Sequence, residues 1–201
     1  MVPAWTGREE VAVATTTRVY LARHGRTAFN ANGQLRGLSD PPLDEVGLAE
    51  AARLAGQLAS RHPSIVISSP LQRAVATAQA IGAAAGIPVQ IDDRLNDRDY
   101  GPQTGLIRAD VERQYGSVDA APGVEPVAAL AERARQGFFE LVAELGPGPV
   151  VMVSHDAFNQ ALLKQLDPAL DHVEQQTACW NQLSLVDGAW RVDAYNRITD
   201  S

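Results

Sequence analysis

Apolar residues follow two patterns along the chain: short continuous runs, and longer stretches with helical spacing. The continuous runs are typical of buried strands and predict strands at about 17–22, 65–68, 87–91 and 150–153. Apolar residues spaced three or four apart predict helices at about 45–61, 69–85, 108–115, 125–145 and 157–166. Strands that alternate with helices in this way favour an α/β fold in which most strands are parallel.

Local signals predict where some of these elements begin and turn. Asp44 is a predicted N-cap for the first long helix. Ser69 is followed directly by Pro70, and Gln72 lies three positions after the serine. This is the pattern of a helix start. Asp187-Gly188 predicts a tight hairpin between strands at 177–186 and 189–196.

Polar side chains follow two of the predicted strands. Arg23, His24 and Gly25 come directly after the first strand, and His155 follows the strand at 150–153. A single histidine beside an apolar run is usually a core residue, and an Arg-His-Gly sequence is more often a solvated loop. Two histidines at the ends of parallel strands are a stronger signal, because those ends meet where ligands bind. We expect Gly25 to let a ligand approach the backbone closely.

Arg73 falls in the first turn of the helix predicted after Ser69. A cation at this position opposes the helix dipole and is mildly destabilising. Two interpretations remain open at this point. Arg73 is either an exposed residue that reaches elsewhere or a residue that faces, together with the helix amides, a bound anion.

Two histidines, at least two arginines and an acid at one edge of a sheet suit phosphoryl transfer. Positioned cations stabilise the negative charge that spreads over the phosphoryl oxygens. A histidine nucleophile divides one difficult displacement into two easier ones. A carboxylic acid then protonates the leaving oxygen, and its conjugate base activates water in the second step.

Composition limits the class of protein. The 201 residues suit a single domain, predicted at 17–201 after a flexible tail at 1–16. A net charge of −7 argues against nucleic-acid and anionic-membrane partners, although clustered arginines can make one cleft positive. The single cysteine, Cys179, forms no internal disulfide and favours a reducing, cytoplasmic location. The sequence shows neither a membrane-length apolar run nor the pattern of a signal peptide.

Several common site motifs are missing from the sequence. Without HExxH or CxxC patterns, no metal site is expected. The sequence also lacks GxxxxGK[ST], a GxGxxG after a strand, and a GxSxG elbow. These absences argue against nucleotide-binding folds and serine hydrolases.

A series of separated motifs resembles the histidine phosphatase superfamily, also called phosphoglycerate mutase-like. The first is Leu21-Ala22-Arg23-His24-Gly25-Arg26-Thr27 with Asn30. The others are Arg36-Gly37, Asp40-Pro41-Pro42-Leu43 with Gly47, Ser68-Ser69-Pro70-Leu71-Gln72-Arg73-Ala74, Leu95-Asn96-Asp97-Arg98-Asp99-Tyr100-Gly101 and Val153-Ser154-His155. The motifs occur in order over most of the chain, so the resemblance is specific.

The resemblance implies a three-layer α/β/α sandwich with a mostly parallel central sheet and an antiparallel edge strand. It also implies an enzyme that needs neither cofactor nor metal. His24 would be phosphorylated during turnover, and Asp97 would be the proton donor. The phosphate pocket around the nucleophile would be formed by Arg23, Arg73, His155 and Asn30.

Three positions depart from the pattern that the resemblance implies. Arg26 stands where many members have glutamate, Asp156 replaces a frequent glycine, and Asp97 is one methylene shorter than glutamate. Asp97 must therefore be brought to the leaving group by its backbone. The candidates for further substrate contacts are Arg26, Thr27, Arg36, Gly37 and Asp156.

The motifs together predict a phosphatase that hydrolyses a small organic phosphate through a phosphohistidine. One alternative is a mutase or other phosphotransferase, and another is an inactive module that binds a phosphate ligand. The chain is shorter than typical cofactor-dependent phosphoglycerate mutases, which favours the phosphatase. The physiological substrate and the choice between monomer and homodimer stay open.

Overall fold

The computed structural model describes residues 17–170 and 173–198, so the tail predicted at 1–16 lies outside the described residues. The strands are β1 (Arg18–Arg23), β2 (Ile65–Ser68), β3 (Val89–Ile91), β4 (Pro149–Ser154), β5 (Trp180–Val186) and β6 (Ala189–Arg197). The α-helices are α1 (Ala28–Ala31), α2 (Glu45–Ala59), α3 (Gln72–Ala85), α4 (Arg108–Tyr115), α5 (Val127–Glu144) and α6 (Asp156–Leu166). None of these helices is long and apolar enough to cross a membrane.

Over the described part of the chain, the six strands form one sheet in the order β3-β2-β4-β1-β5-β6. The pairs β1–β4, β2–β4 and β2–β3 are parallel, whereas β1–β5 and β5–β6 are antiparallel. The mostly parallel sheet is therefore confirmed, with a two-stranded hairpin at its antiparallel edge. The turn of that hairpin has positive φ at both Asp187 (51°) and Gly188 (77°), as its tight geometry requires.

The sheet is covered on both faces. Along β1, Val19 and Leu21 join a core with α5 and α6, whereas Tyr20 and Ala22 join a second core with α2 and α3. Successive side chains of a strand point to opposite faces, so one apolar run supplies both cores. The predicted α/β/α sandwich is confirmed.

The register of β1 and β4 brings the two histidine motifs together. Arg23 is opposite Ser154, the last residue of β4. The next residue, His24, donates its backbone N–H to the Ser154 carbonyl at 3.1 Å. His24 and His155 therefore leave neighbouring strands at the same sheet edge.

The predicted start of α3 at Ser69 is wrong. Ser69 still donates its backbone N–H to Val153 at 3.0 Å, which keeps the chain extended past the end of β2. The helix begins at Gln72, whose N–H donates to the Asp40 carboxylate at 2.7 Å. An acid from a distant loop thus satisfies a helix amide that a local serine was expected to satisfy.

Candidate active site

The chain leaves β1 in tight contact with α2. A Cβ atom on Gly25 would lie 2.4 Å from the Gly47 carbonyl oxygen, and one on Gly47 would lie 2.0 Å from the carbonyl oxygen of Arg26. Both glycines therefore allow two backbone segments to approach each other, which gives Gly25 a packing role besides the close approach of a ligand that was predicted. This packing fixes the loop that carries His24.

His24 is fully buried, and its partners determine its tautomer. Its Nδ1 lies 2.6 Å from the Gly25 carbonyl oxygen, which can only accept, so Nδ1 carries the proton. Its Nε2 then accepts a hydrogen bond from Nε of Arg73 at 3.3 Å. Burial, reinforced by the Arg73 cation, holds the pKa of His24 well below its ordinary value of 6.5. A neutral imidazole with its lone pair on Nε2 is in the state that a nucleophile needs.

Arg73 lies at the centre of this cluster and is buried. Its Nη1 donates to the Ser39 carbonyl at 2.6 Å, and its Nη2 donates to the Gly37 carbonyl at 2.8 Å. The same Nη2 also donates to the Asp97 carboxylate at 3.1 Å. Of the two interpretations left open by the sequence, the exposed one is wrong. Arg73 is held by loop carbonyls with its guanidinium against His24 and Asp97.

His155 packs beside His24, with ring centroids 5.2 Å apart. Its Nε2 lies 2.8 Å from the Ser69 hydroxyl, and its Nδ1 lies 3.8 Å from the Asp97 carboxylate. Burial, followed by the Arg73 cation, lowers the pKa of His155 well below 6.5. The Ser69 hydroxyl also lies 3.4 Å from the side-chain oxygen of Asn96, and Nδ1 of His155 is on the side of Asp97.

Two further arginines border the histidines and share one carboxylate. Nη1 of Arg23 lies 3.7 Å from Oδ2 of Asp156, and Nη2 of Arg36 lies 4.0 Å from the same oxygen. Nη1 of Arg23 also donates to the Gln175 carbonyl. Burial, and then the nearby Arg23 cation, lower the pKa of Arg36 from its ordinary value. An additional anion would therefore be stabilised between these two guanidinium groups.

Unpaired buried polar atoms concentrate in this cluster. Over the described residues, the buried side-chain nitrogen and oxygen atoms without a hydrogen-bond partner are Arg23 Nε, Arg36 Nε, His155 Nδ1 and Asn159 Oδ1. Three of these four are nitrogens of the cluster. An unsatisfied buried donor costs roughly 1–3 kcal/mol. Their concentration here is typical of a site that is completed by a ligand with several acceptor oxygens.

Three predicted site residues have partners within the loop between β1 and α2. The side-chain oxygen of Asn30 accepts from the backbone and hydroxyl of Thr27 at 3.0 and 2.8 Å, which forms the capping box of α1. Nε of Arg26 donates to the Asp44 carboxylate at 2.9 Å. These contacts give Arg26, Thr27 and Asn30 a role in holding the loop that follows β1.

Two residues of the site were not predicted as functional. Ser69, taken as a helix cap, contacts His155 because β2 and β4 are neighbours in the sheet. Arg133 on α5 donates to the carbonyl oxygens of Asn96 at 3.0 Å and Asp97 at 2.7 Å. The neighbouring strand ends could have indicated Ser69. No local signal marks Arg133, because it is far from Asp97 along the sequence.

A family model described as the histidine phosphatase superfamily (branch 1) matches residues 19–198. The chain belongs to the histidine phosphatase superfamily. The match runs from β1 to beyond the end of β6 and confirms the resemblance that the motifs indicated. The predicted enzyme class, a phosphoric monoester hydrolase, is confirmed with it.

Relatives of this histidine phosphatase are similar over nearly their whole length. The uncharacterized phosphatase PhoE of Bacillus subtilis is 28% identical over 90% of this chain and 94% of its own. Glucosyl-3-phosphoglycerate phosphatase of Mycobacterium tuberculosis is 34% identical over 89% of this chain and 94% of its own. A solved structure of mycobacterial glucosyl-3-phosphoglycerate phosphatase with VO3 superposes with a TM-score of 0.81 at 31% identity, over 90% of this chain and 99% of that one.

Within the described part of this histidine phosphatase, no group of three or more His, Cys, Asp or Glu residues is placed to hold a metal ion. The site is instead dominated by cations. Three arginines surround the two neutral histidines, and two carboxylates offset part of their charge. Such a site suits the binding of a compact anion.

Proposed function

We propose that this histidine phosphatase hydrolyses a small organic phosphomonoester through a phosphohistidine on His24. The observation that carries the proposal is the state of His24. Its Nδ1 proton is held by the Gly25 carbonyl, and its Nε2 lone pair lies beside the guanidinium of Arg73. This combination suits an attack on a phosphorus atom whose oxygens are bound by arginines.

In the first step, Nε2 of His24 attacks phosphorus and the ester P–O bond breaks. Asp97, as a carboxylic acid, gives its proton to the leaving oxygen, which departs as the alcohol. Asp97 is paired with Arg73 at 3.1 Å before substrate binds. A bound phosphate competes for the same guanidinium, and a carboxyl group released from that pair can hold a proton.

In the second step, water attacks the phosphohistidine. The Asp97 carboxylate takes a proton from the water as its oxygen bonds to phosphorus, and the P–N bond breaks. The electron pair returns to Nε2 of His24, and inorganic phosphate leaves. The net reaction consumes one ester and one water and produces one alcohol and one phosphate.

The remaining polar groups of the cluster stabilise charge on the transferred group. Arg23, Arg73 and the Nδ1–H of His155 would donate to its oxygens in both steps. Arg36 is a further candidate, because its Nε is buried without a partner. For Asn30 we propose a weaker contact through its amide nitrogen, since its side-chain oxygen belongs to the capping box.

We propose small organic phosphates as the substrate class, and neither nucleic acid nor membrane as a partner. Two clefts of about 310 and 440 Å³ open beside the cluster and suit a small molecule. We also propose a reducing, cytoplasmic compartment. The single cysteine, Cys179, is buried, and burial raises the pKa of its thiol to about 12, which makes it a structural residue.

Replacing His24 tests the proposal. His24→Asn should lower the hydrolysis of p-nitrophenyl phosphate about a thousandfold or more, because no nucleophile remains. The wild-type enzyme, quenched in alkali during turnover, should carry an acid-labile phosphoryl group that the variant lacks. His62→Asn is the matched control, since His62 is exposed. Full activity in His24→Asn would reject the mechanism, and conversion of 3-phosphoglycerate without phosphate release would indicate a mutase.

A further inference from the structure

Asp156 lies between the proposed phosphate site and two clefts. The first, called here the loop cleft, has a volume of about 310 Å³ and is lined by Leu35, Arg36 and residues of α4. The second, called the helix cleft, has a volume of about 440 Å³ and is lined by residues of α5 and α6. Asp156 and Tyr100 belong to the walls of both clefts. The alcohol portion of a phosphoester that extends into either cleft therefore lies close to Asp156.

The carboxylate of Asp156 presents one oxygen that has no hydrogen bond among the described residues. Its Oδ1 accepts from the side-chain amide of Gln160 at 2.6 Å. Its Oδ2 lies 3.7 Å from Arg23 and 4.0 Å from Arg36, which is beyond hydrogen-bond distance. The side chain is 25% exposed and belongs to the walls of both clefts, so the carboxylate is open to a ligand there. This oxygen can accept from a donor on the substrate.

Two of the cations in the cleft walls are already paired with acids. Arg98 pairs with Asp119 at 2.7 Å, and Arg108 pairs with Glu112 at 3.5 Å. Arg36 also lines the loop cleft and lies 4.0 Å from Asp156, so the Asp156 carboxylate offsets positive charge that a second negative group on the substrate would otherwise meet. Lys164 also lines the helix cleft, and its positive charge could attract a long anionic substrate. A short substrate is therefore used to measure the effect of Asp156 alone.

We infer that Asp156 is a specificity-determining residue that selects against a second negative charge near the phosphoester. It favours alcohols that carry a hydroxyl or ammonium group at that distance, because Oδ2 can accept a hydrogen bond from either. The inference rests on the proposed phosphatase function and adds the chemical class of alcohol that the site accepts. It also predicts that this enzyme discriminates against simple phosphoglycerates.

The test compares two substrates of equal length. Glycerol 3-phosphate carries a hydroxymethyl group where 3-phosphoglycerate carries a carboxylate. The wild-type enzyme should have the higher kcat/KM for glycerol 3-phosphate, and Asp156→Asn should reduce that preference about tenfold, as expected for two unit charges a few ångströms apart in a partly exposed site. Asp156→Glu keeps the charge and should keep the direction of the preference. A general effect of the variant on phosphate binding changes kcat/KM for both esters equally, so it cancels in the ratio of the two values.

Asp110→Asn is the matched control, because it removes the same charge from an exposed pair on α4. It should leave the ratio of the two kcat/KM values unchanged. An unchanged ratio in Asp156→Asn, with both esters still hydrolysed, would overturn the inference and leave the phosphatase proposal intact. If the wild-type enzyme hydrolyses no phosphoester, the phosphatase proposal fails, and the ratio of the two Kd values by calorimetry then decides the inference.

Discussion

At the scale of single residues, the acid in the proposed mechanism can be tested separately from the nucleophile. Asp97→Asn removes the proton donor but keeps the shape of the side chain. Hydrolysis of an alkyl phosphate such as glycerol 3-phosphate should fall by about 10²–10⁴-fold, because an alkoxide is a poor leaving group without protonation. Hydrolysis of p-nitrophenyl phosphate should fall much less. Comparable losses on both esters, measured as kcat, would mean that another residue donates the proton.

Some site residues could be predicted from the residue pattern because they follow the ends of neighbouring strands. His24 and His155 could be predicted because a parallel register brings the carboxyl ends of neighbouring strands together, independently of the loop conformations. The residue pattern alone left the position of Arg73 open, since the carbonyl groups that hold it belong to Ser39 and Gly37 in a distant loop. Only the family resemblance placed it in the phosphate pocket. Asn30 stays a predicted phosphate contact through its amide nitrogen, while its oxygen caps α1, a local role that its spacing from Thr27 also permits.

At the scale of elements, α5 determines where the proposed acid lies. Arg133 donates to the carbonyl oxygens of Asn96 and Asp97 and is itself held by Glu125 at 2.6 Å. Arg133 is therefore a positioning residue for a carboxylate that is one methylene shorter than glutamate. Arg133→Lys should lower kcat for glycerol 3-phosphate about tenfold and change that for p-nitrophenyl phosphate little, since a lysine cannot reproduce the forked contacts.

Arg135→Lys is the control for this element, because Arg135 lies two residues further along α5 and pairs with Glu132 on the surface. It should leave both rates unchanged. Equal losses on the two esters in Arg133→Lys would point to a general loss of structure, and the assignment of Arg133 to the positioning of Asp97 would be abandoned.

The contact between α2 and the loop after β1 leads to a prediction about stability. A Cβ on Gly47 would lie 2.0 Å from the carbonyl oxygen and 2.7 Å from the nitrogen of Arg26, and these backbone atoms have little room to move. Gly47→Ala should lower the free energy of unfolding in urea by about 1–3 kcal/mol or more. Gly56→Ala, in the same helix with open space around it, should raise that energy by about 0.5–1 kcal/mol. An unchanged midpoint for Gly47→Ala would contradict this account of the packing.

Element boundaries show why part of the fold was predictable and part was not. The N-cap at Asp44 and the end of α3 at Ala85 depend on neighbouring residues and were predicted correctly. The start of α3 depends on Asp40, which lies 32 positions before Gln72 in the sequence. Local patterns contain no information about such a partner. The errors therefore fall where distant segments meet, which is also where the site is built.

At the scale of the whole molecule, the fold gathers positive charge in one cleft of a protein whose net charge is negative. The chain has a net charge of −7, yet the buried cluster contains Arg23, Arg36 and Arg73. Of the nearby acids, Asp97 is already paired with Arg73, and Asp156 lies between the other two guanidinium groups. The cleft can therefore attract an anion that the rest of the surface repels.

The two buried histidines also make the stability of the whole protein depend on pH. Their pKa values are held well below 6.5 in the folded state, mainly by burial, so only the unfolded state binds protons at these positions just below pH 6.5. The unfolded state then binds more protons, and the free energy of unfolding falls as pH decreases from 6.5 towards the folded pKa values. The slope from each histidine is at most about 1.4 kcal/mol per pH unit.

Urea unfolding at pH 7.5, 6.5 and 5.5 measures this dependence. His24→Asn should have a shallower loss of unfolding free energy between pH 6.5 and 5.5 than the wild type, because one buried neutral histidine has been removed. His62→Asn changes an exposed histidine and should retain the wild-type slope. If His24→Asn loses stability as steeply as the wild type over this range, the burial of a neutral imidazole at position 24 is not what links folding to protons.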